Sequence, residues 1–212
     1  MNAILQEIGK RRIVPAVAID DAADADALGE ALVSGGLPIA EIMFRTSAAE
    51  ASLRALTRRK NLLIGAGTVL NVDTVKRAVD AGASFIVSPG FNPKVVGYCV
   101  EQSIPIIPGI ATPTEIEMAL DHGLSVVKFF PAESIGGIKT LKLLSGPYAM
   151  IQFMPTGGIG PENLADYLRF PRVLACGGSW MVARDLLAGK RFDRVRELSR
   201  EAVELAKKFK AF

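Results

Sequence analysis

The chain has 212 residues, half of them hydrophobic, and a formal net charge of +3. That length fits one domain spanning residues 1–212 with a sizeable core, and the composition excludes a disordered chain. Lys and Arg are scattered rather than striped, which argues against nucleic acid or an anionic membrane as the main partner. No apolar run is long enough to span a bilayer, and none near the N-terminus is of the signal-peptide type. Cys99 and Cys176 lie far apart in apolar stretches and suggest no disulfide framework, so a reducing, cytoplasmic setting is expected. The single histidine, His122, precedes Gly123 and reads as the end of a helix, so neither a zinc site nor any other metal is expected.

Along the chain, Val/Ile-rich runs alternate with amphipathic stretches. The first eleven residues read as a helix. Strand-like runs follow at 13–19, 38–44, 62–69, 85–89, 105–110, 126–130, 151–156 and 173–177. Their starts recur roughly every 20–25 residues, the length of one strand–helix unit with short loops. Helix signals fill the gaps. Asp20 and Asp21 lead into 22–34, which Gly35-Gly36 closes, and Asn71 opens 72–80. Pro113 and Glu115 sit in one first helical turn, and Pro161-Glu162 open another helix before Tyr167. Near the C-terminus, Val195, Leu198, Ala202 and Leu205 mark one helical face. Eight nearly continuous apolar strands, each followed by a helix, predict a parallel (β/α)₈ TIM barrel with an extra N-terminal helix.

Such barrels carry their sites at the C-terminal ends of the strands. Lys128 lies there, in Ser125-Val126-Val127-Lys128-Phe129-Phe130-Pro131. A lysine in an apolar strand is costly unless paired or neutral, and a neutral amine is a nucleophile suited to a Schiff base. The competing reading is a buried stem with the ammonium reaching a strand end. Glu41, Met43 and Arg45 share one face of their strand by its period of two. Glu41 is therefore either a proton carrier or half of a buried ion pair. Arg45 could fork a carboxylate, and Thr68 and Pro89 could line a pocket beside the amine. Gly157-Gly158 and Gly177-Gly178-Ser179 end the last two strands, where such barrels often hold phosphate on backbone N–H groups. Trp180 reads as core packing.

Seven ordered motifs then resemble one family. They are Glu41 with Arg45-Thr46, Gly65-Ala66-Gly67-Thr68-Val69-Leu70, Ser88-Pro89-Gly90, Pro108-Gly109-Ile110, Lys128-Phe129-Phe130-Pro131-Ala132-Glu133, Pro155-Thr156-Gly157-Gly158-Ile159 and Gly177-Gly178-Ser179-Trp180. They resemble the 2-keto-3-deoxy-6-phosphogluconate (KDPG)/4-hydroxy-2-oxoglutarate aldolases over nearly the whole chain. The resemblance implies a class I aldolase, homotrimeric and free of cofactor, that cleaves KDPG to pyruvate and glyceraldehyde 3-phosphate. It implies Lys128 as the Schiff-base lysine and Glu41 as the acid/base carboxylate. Arg45, Thr68 and Pro89 fall at positions for the pyruvate carboxylate and its pocket. Phe130 falls near the imine, and Gly157, Gly158 and Ser179 at phosphate-loop positions with Gly178 beside them. Relatives acting on the C4 epimer tend to carry Val where this chain has Thr156, which favours the gluconate substrate. Met43-Phe44 replaces the Thr-Leu of some members, leaving pocket shape open. The galactonate-specific aldolase, a metal-free sugar-phosphate isomerase and a non-enzymatic sensor of phosphorylated metabolites are the alternatives.

Overall fold

Every paired strand in the molecule is parallel, as expected for strands buried on both faces and rich in Val and Ile. The computed structural model describes residues 2–209. Its strands are β1 (Ile13–Val17), β2 (Ile39–Met43), β3 (Leu63–Gly67), β4 (Ile86–Val87), β5 (Ile106–Ile107), β6 (Gly109–Ile110), β7 (Val126–Phe129), β8 (Gln152–Phe153) and β9 (Cys176–Gly178). One sheet runs β5-β4-β3-β2-β1-β9 and another β6-β7-β8. Single parallel bridges join Phe153 to Val173 and Thr156 to Gly177. The expected run 105–110 is split at Pro108, which has no N–H to give a ladder. Its carbonyl still accepts the Lys128 N–H at 2.8 Å. The last strand also sits later than the expected 173–177, with Val173 contributing only a bridge.

Helices connect the strands, and their starts follow local chemistry. Helix α1 (Ala3–Arg11) is capped by the Asn2 side chain, and a short 3₁₀ turn (Ala22–Asp24) precedes α2 (Ala25–Ser34). After α3 (Ala49–Leu56), the Asn71 side chain caps α4 (Val72–Asp80) as expected. Then come α5 (Pro93–Glu101) and α6 (Pro113–Asp121), whose Thr112 and Glu115 make a reciprocal capping box. His122 does end α6, with Gly123 in the left-handed region after it. Helix α7 is Gly137–Ser145, and α8 (Leu164–Leu168) starts later than Pro161-Glu162 suggest because Asn163 is its cap residue. Finally α9 (Arg184–Ala188) leads to α10 (Phe192–Lys207). Val195 and Ala202 on α10 are buried and Leu198 and Leu205 pack against the core, as their spacing predicts. One contiguous apolar cluster runs from Ile8 to Ala206.

Candidate active site

Lys128 projects from β7 with only 6% of its surface exposed, and Glu41 on β2 is wholly buried. Their strands belong to different sheets, yet Lys128 Nζ lies 3.4 Å from Glu41 Oε1. That separation exceeds the ~2.7–2.9 Å of a tight charge-assisted hydrogen bond. Glu41 Oε2 is buried with no hydrogen-bond partner among the described residues. On the other side the Phe130 ring centroid lies 5.3 Å from Nζ, within cation–π range. The amine thus has one loose anionic neighbour and one aromatic wall.

The neighbouring strands are cut away to admit these groups. A Cβ on Gly67 would overlap Glu41 Oε1, so the carboxylate lies directly over that glycine. Gly109, which pairs with Lys128 across β6 and β7, likewise leaves room for the Pro89 carbonyl. Glu41 and the Pro89 carbonyl thus each fill space that a side chain on a neighbouring strand would occupy.

Around this pair stand the other sequence-selected residues. Arg45 Nε donates to Thr68 Oγ1 at 3.0 Å. Thr68 has φ 56°, a left-handed backbone costing a β-branched residue about 1–3 kcal/mol. The loops after β7 and β8 are zipped together, with Ala132 N–H donating to Thr156 O at 2.8 Å and Glu133 N–H to Gly157 O at 3.1 Å. Thr156 is buried, its hydroxyl on the Met154 carbonyl at 3.3 Å. Gly157 and Gly158 both have positive φ. Gly178 ends β9 beneath the Trp180 ring, which packs against the core, and Ser179 is exposed at the start of a 3₁₀ turn. The structure shows the Lys128–Glu41–Phe130 and Arg45–Thr68 contacts directly, sets Pro89 after β4 and Thr156, Gly157 and Gly158 after β8, and ends β9 at Gly178 with Ser179 following.

This arrangement matches known proteins over nearly its whole length. The family model described as KDPG and KHG aldolase matches residues 4–198. The chain belongs to that family. The chain is 46% identical over 205 residues to the 2-dehydro-3-deoxy-phosphogluconate aldolase of Haemophilus influenzae, covering 96% of this chain and 97% of that protein. Among solved structures, the KDPG aldolase of Legionella pneumophila, with pyruvate captured at low pH as a covalent carbinolamine intermediate, aligns with a TM-score of 0.90. Identity to it is 35%, over 93% of this chain and 97% of that one. The aldolase of Zymomonas mobilis ZM4 with 3-phosphoglycerate aligns at 0.89 and 36% identity, over 97% and 96%.

Within this family member, sequence reasoning gave no role to three side chains that surround the glycine turn. The Asn163 amide donates to Gly158 O at 2.8 Å while its oxygen accepts the Gly160 N–H at 2.9 Å. The Tyr167 hydroxyl donates to Glu133 Oε1, and burial together with that carboxylate raises the phenol's pKa, so it stays a donor. Asn163 and Tyr167 are four residues apart, one helical turn. That spacing was the available signal. Burial also pushes both thiols up, Cys99 to about 11, so neither is a nucleophile near neutral pH.

Proposed function

We infer that the protein is a class I aldolase that cleaves KDPG to pyruvate and D-glyceraldehyde 3-phosphate through a Schiff base on Lys128. The observation that carries the residue assignment is the loose, half-satisfied Lys128–Glu41 pair. A structural ion pair buried this deeply satisfies its remaining lone pairs, whereas Glu41 Oε2 is left open. Family membership supports the aldolase reading, and the carbinolamine trapped in the Legionella relative is the adduct this chemistry requires.

The steps follow from the geometry. Neutral Lys128 attacks the C2 ketone to give a carbinolamine, which loses water to a protonated imine. Glu41 accepts the C4 hydroxyl proton, the C3–C4 electron pair moves into the imine, and aldehyde and enamine separate. Protonation of the enamine at C3 and hydrolysis of the imine then release pyruvate and free Lys128. Arg45 holds the carboxylate next to the imine, with Thr68 orienting its guanidinium. Pro89 and Phe130 wall the pocket. Gly157, Gly158, Gly178 and Ser179 receive the phosphate, and the solved Zymomonas relative holds a phosphorylated carboxylate on the same fold. Thr156 favours the gluconate epimer, and 4-hydroxy-2-oxoglutarate is a second, phosphate-free substrate. No cofactor enters these steps.

The same reading takes the two sheets as one eight-stranded barrel. β5 and β6 are halves of a single strand broken at Pro108, and the bridges at Phe153–Val173 and Thr156–Gly177 support closure. Helix α1 precedes it, and residues 1–212 form one domain. Among the described residues no helix is long and apolar enough to cross a membrane. A cytoplasmic homotrimer is the assembly expected from the family. The decisive experiment is incubation with pyruvate and borohydride followed by mass spectrometry. One covalent pyruvate adduct at Lys128 is expected. Without it the Schiff-base assignment fails.

A further inference from the structure

The glycine turn after β8 is held by a set of contacts that come from elsewhere in the chain. Gly158 has φ +76°, and a Cβ there would lie 2.7 Å from Glu133 Cβ and 2.8 Å from Glu133 Cγ, so the turn rests on the stem of that glutamate. Glu133 is fixed from two directions. Its own N–H donates to Gly157 O at 3.1 Å, and its carboxylate accepts the hydroxyl of Tyr167, a side chain 1% exposed in α8. One helical turn earlier, Asn163 grips the far side, donating to Gly158 O and accepting from Gly160 N–H. Helix α8 therefore presents a pair of polar groups, at i and i+4, to opposite flanks of a single turn. None of these groups touches Lys128 or Glu41.

Two glycines in a row with positive φ are intrinsically mobile, and an unsupported turn would lose ordering entropy each time it closed on a ligand. Among the described residues nothing accepts a hydrogen bond from the Gly158 N–H, so that donor remains available to an anion. We propose that Asn163, Tyr167 and Glu133 are positioning residues that pre-form the Gly157–Gly158 seat for the substrate phosphate, and so set the preference for phosphorylated over phosphate-free 2-keto acids. This rests on the assignment of the turn as the phosphate seat given above. The buckle acts on binding at the distant end of the substrate, so it leaves imine formation untouched.

The test is steady-state kinetics on KDPG and on phosphate-free 4-hydroxy-2-oxoglutarate. The variants are Asn163→Ala, Tyr167→Phe, Glu133→Ala and Glu133→Gln. Glu133 is exposed, Asn163 is half-buried, and Tyr167→Phe keeps the buried ring, so folding should survive in all four. For Asn163→Ala, Tyr167→Phe and Glu133→Ala, kcat/KM for KDPG should fall by about 10-fold, mostly through KM, as expected when a hydrogen-bonded support is lost. The same constant for 4-hydroxy-2-oxoglutarate should stay within about twofold. Glu133→Gln keeps an acceptor for the Tyr167 hydroxyl and should recover most of the loss. Equal losses on both substrates would show a merely structural role and overturn the proposal, as would no loss on either. Wild-type cleavage of KDPG and its inhibition by inorganic phosphate are measured alongside. If wild type shows neither, the phosphate-seat reading itself has failed and the buckle with it.

Discussion

Two cations, one just before β1 and one in β7, are buried to the same degree, and they are treated in opposite ways. Arg12 and Lys128 are each 6% exposed. Arg12 stands at the entry to β1, where its guanidinium donates to Val173 O at 2.6 Å, Leu168 O at 2.7 Å and Leu174 O at 3.0 Å. Only its Nε lacks a partner among the described residues, and burial lowers its pKa. Lys128, near the exit of β7, has a single polar contact, at 3.4 Å, to a carboxylate whose other oxygen has no partner among the described residues. A buried charge anchored on neutral backbone carbonyls is fixed and fastens loops together. A buried amine beside one loosely held carboxylate can exchange its proton and attack. Burial alone does not separate the two, and the incomplete satisfaction of the lysine pair is what supports the catalytic role proposed for Lys128.

Replacing the Lys128–Glu41 pair, or Arg12 alone, by apolar side chains breaks this comparison most sharply. The double variant Lys128→Met/Glu41→Leu should lose at least about 10⁴-fold in kcat/KM while unfolding at unchanged or higher denaturant concentration, since buried pairs contribute little net stability. Arg12→Met should do the reverse. It strands several buried carbonyls and should cost roughly 2–4 kcal/mol in urea unfolding, with kcat per folded molecule unchanged. If the lysine pair proves the stabilising one, the distinction drawn here is wrong. Gly67→Ala sharpens it from the side of the carboxylate. Displacing Glu41 by the width of a methyl should lower kcat about 10²-fold with the pyruvate adduct still forming. A variant with normal kcat would show that Glu41 need not lie over Gly67.

The smallest effect is on the alkaline limb of stability. Burial raises Cys99 from 9.0 to about 11, and Cys176 and Tyr167 are raised as well. Groups raised in the folded state hold protons that the unfolded chain releases. For Cys99 the contribution is complete below pH 9 and is lost as pH rises through about 11. The unfolding midpoint should decline across that interval, and Cys99→Ala should flatten the decline. A midpoint independent of pH there would contradict the assignment.

How far the sequence revealed the molecule depended on the kind of interaction. Lys128 stood out because a cation in an apolar run conflicts with its surroundings, and Glu41 stood out for the same reason. The strand runs were readable because parallel strands covered on both faces must be continuously apolar. Their ends were not, since hydrophobicity does not say where ladder hydrogen bonds stop, and β9 accordingly sits later than its apolar run suggested. Pro108 inside a run was a usable warning of the break between β5 and β6. Asn163 went unread because Pro161-Glu162 gave a stronger local signal for a helix start, although Asn163 is the residue just before α8. Its partners, Gly158 and Gly160, are a local turn, but why that turn needs support emerges only when the loop after β7 packs on it.

The fit of Glu41 over Gly67, and of the Pro89 carbonyl over Gly109, also bears on how this pocket can change over generations. A substitution that lengthens or shifts a reactive group meets the backbone of the adjacent strand before it meets substrate. Variation in specificity is therefore confined to places without such an underlying glycine, or must come as coordinated double changes on neighbouring strands. Libraries meant to widen the range of accepted aldehydes should randomise those strand-neighbour positions together, because single-site scans would discard each half of a workable pair.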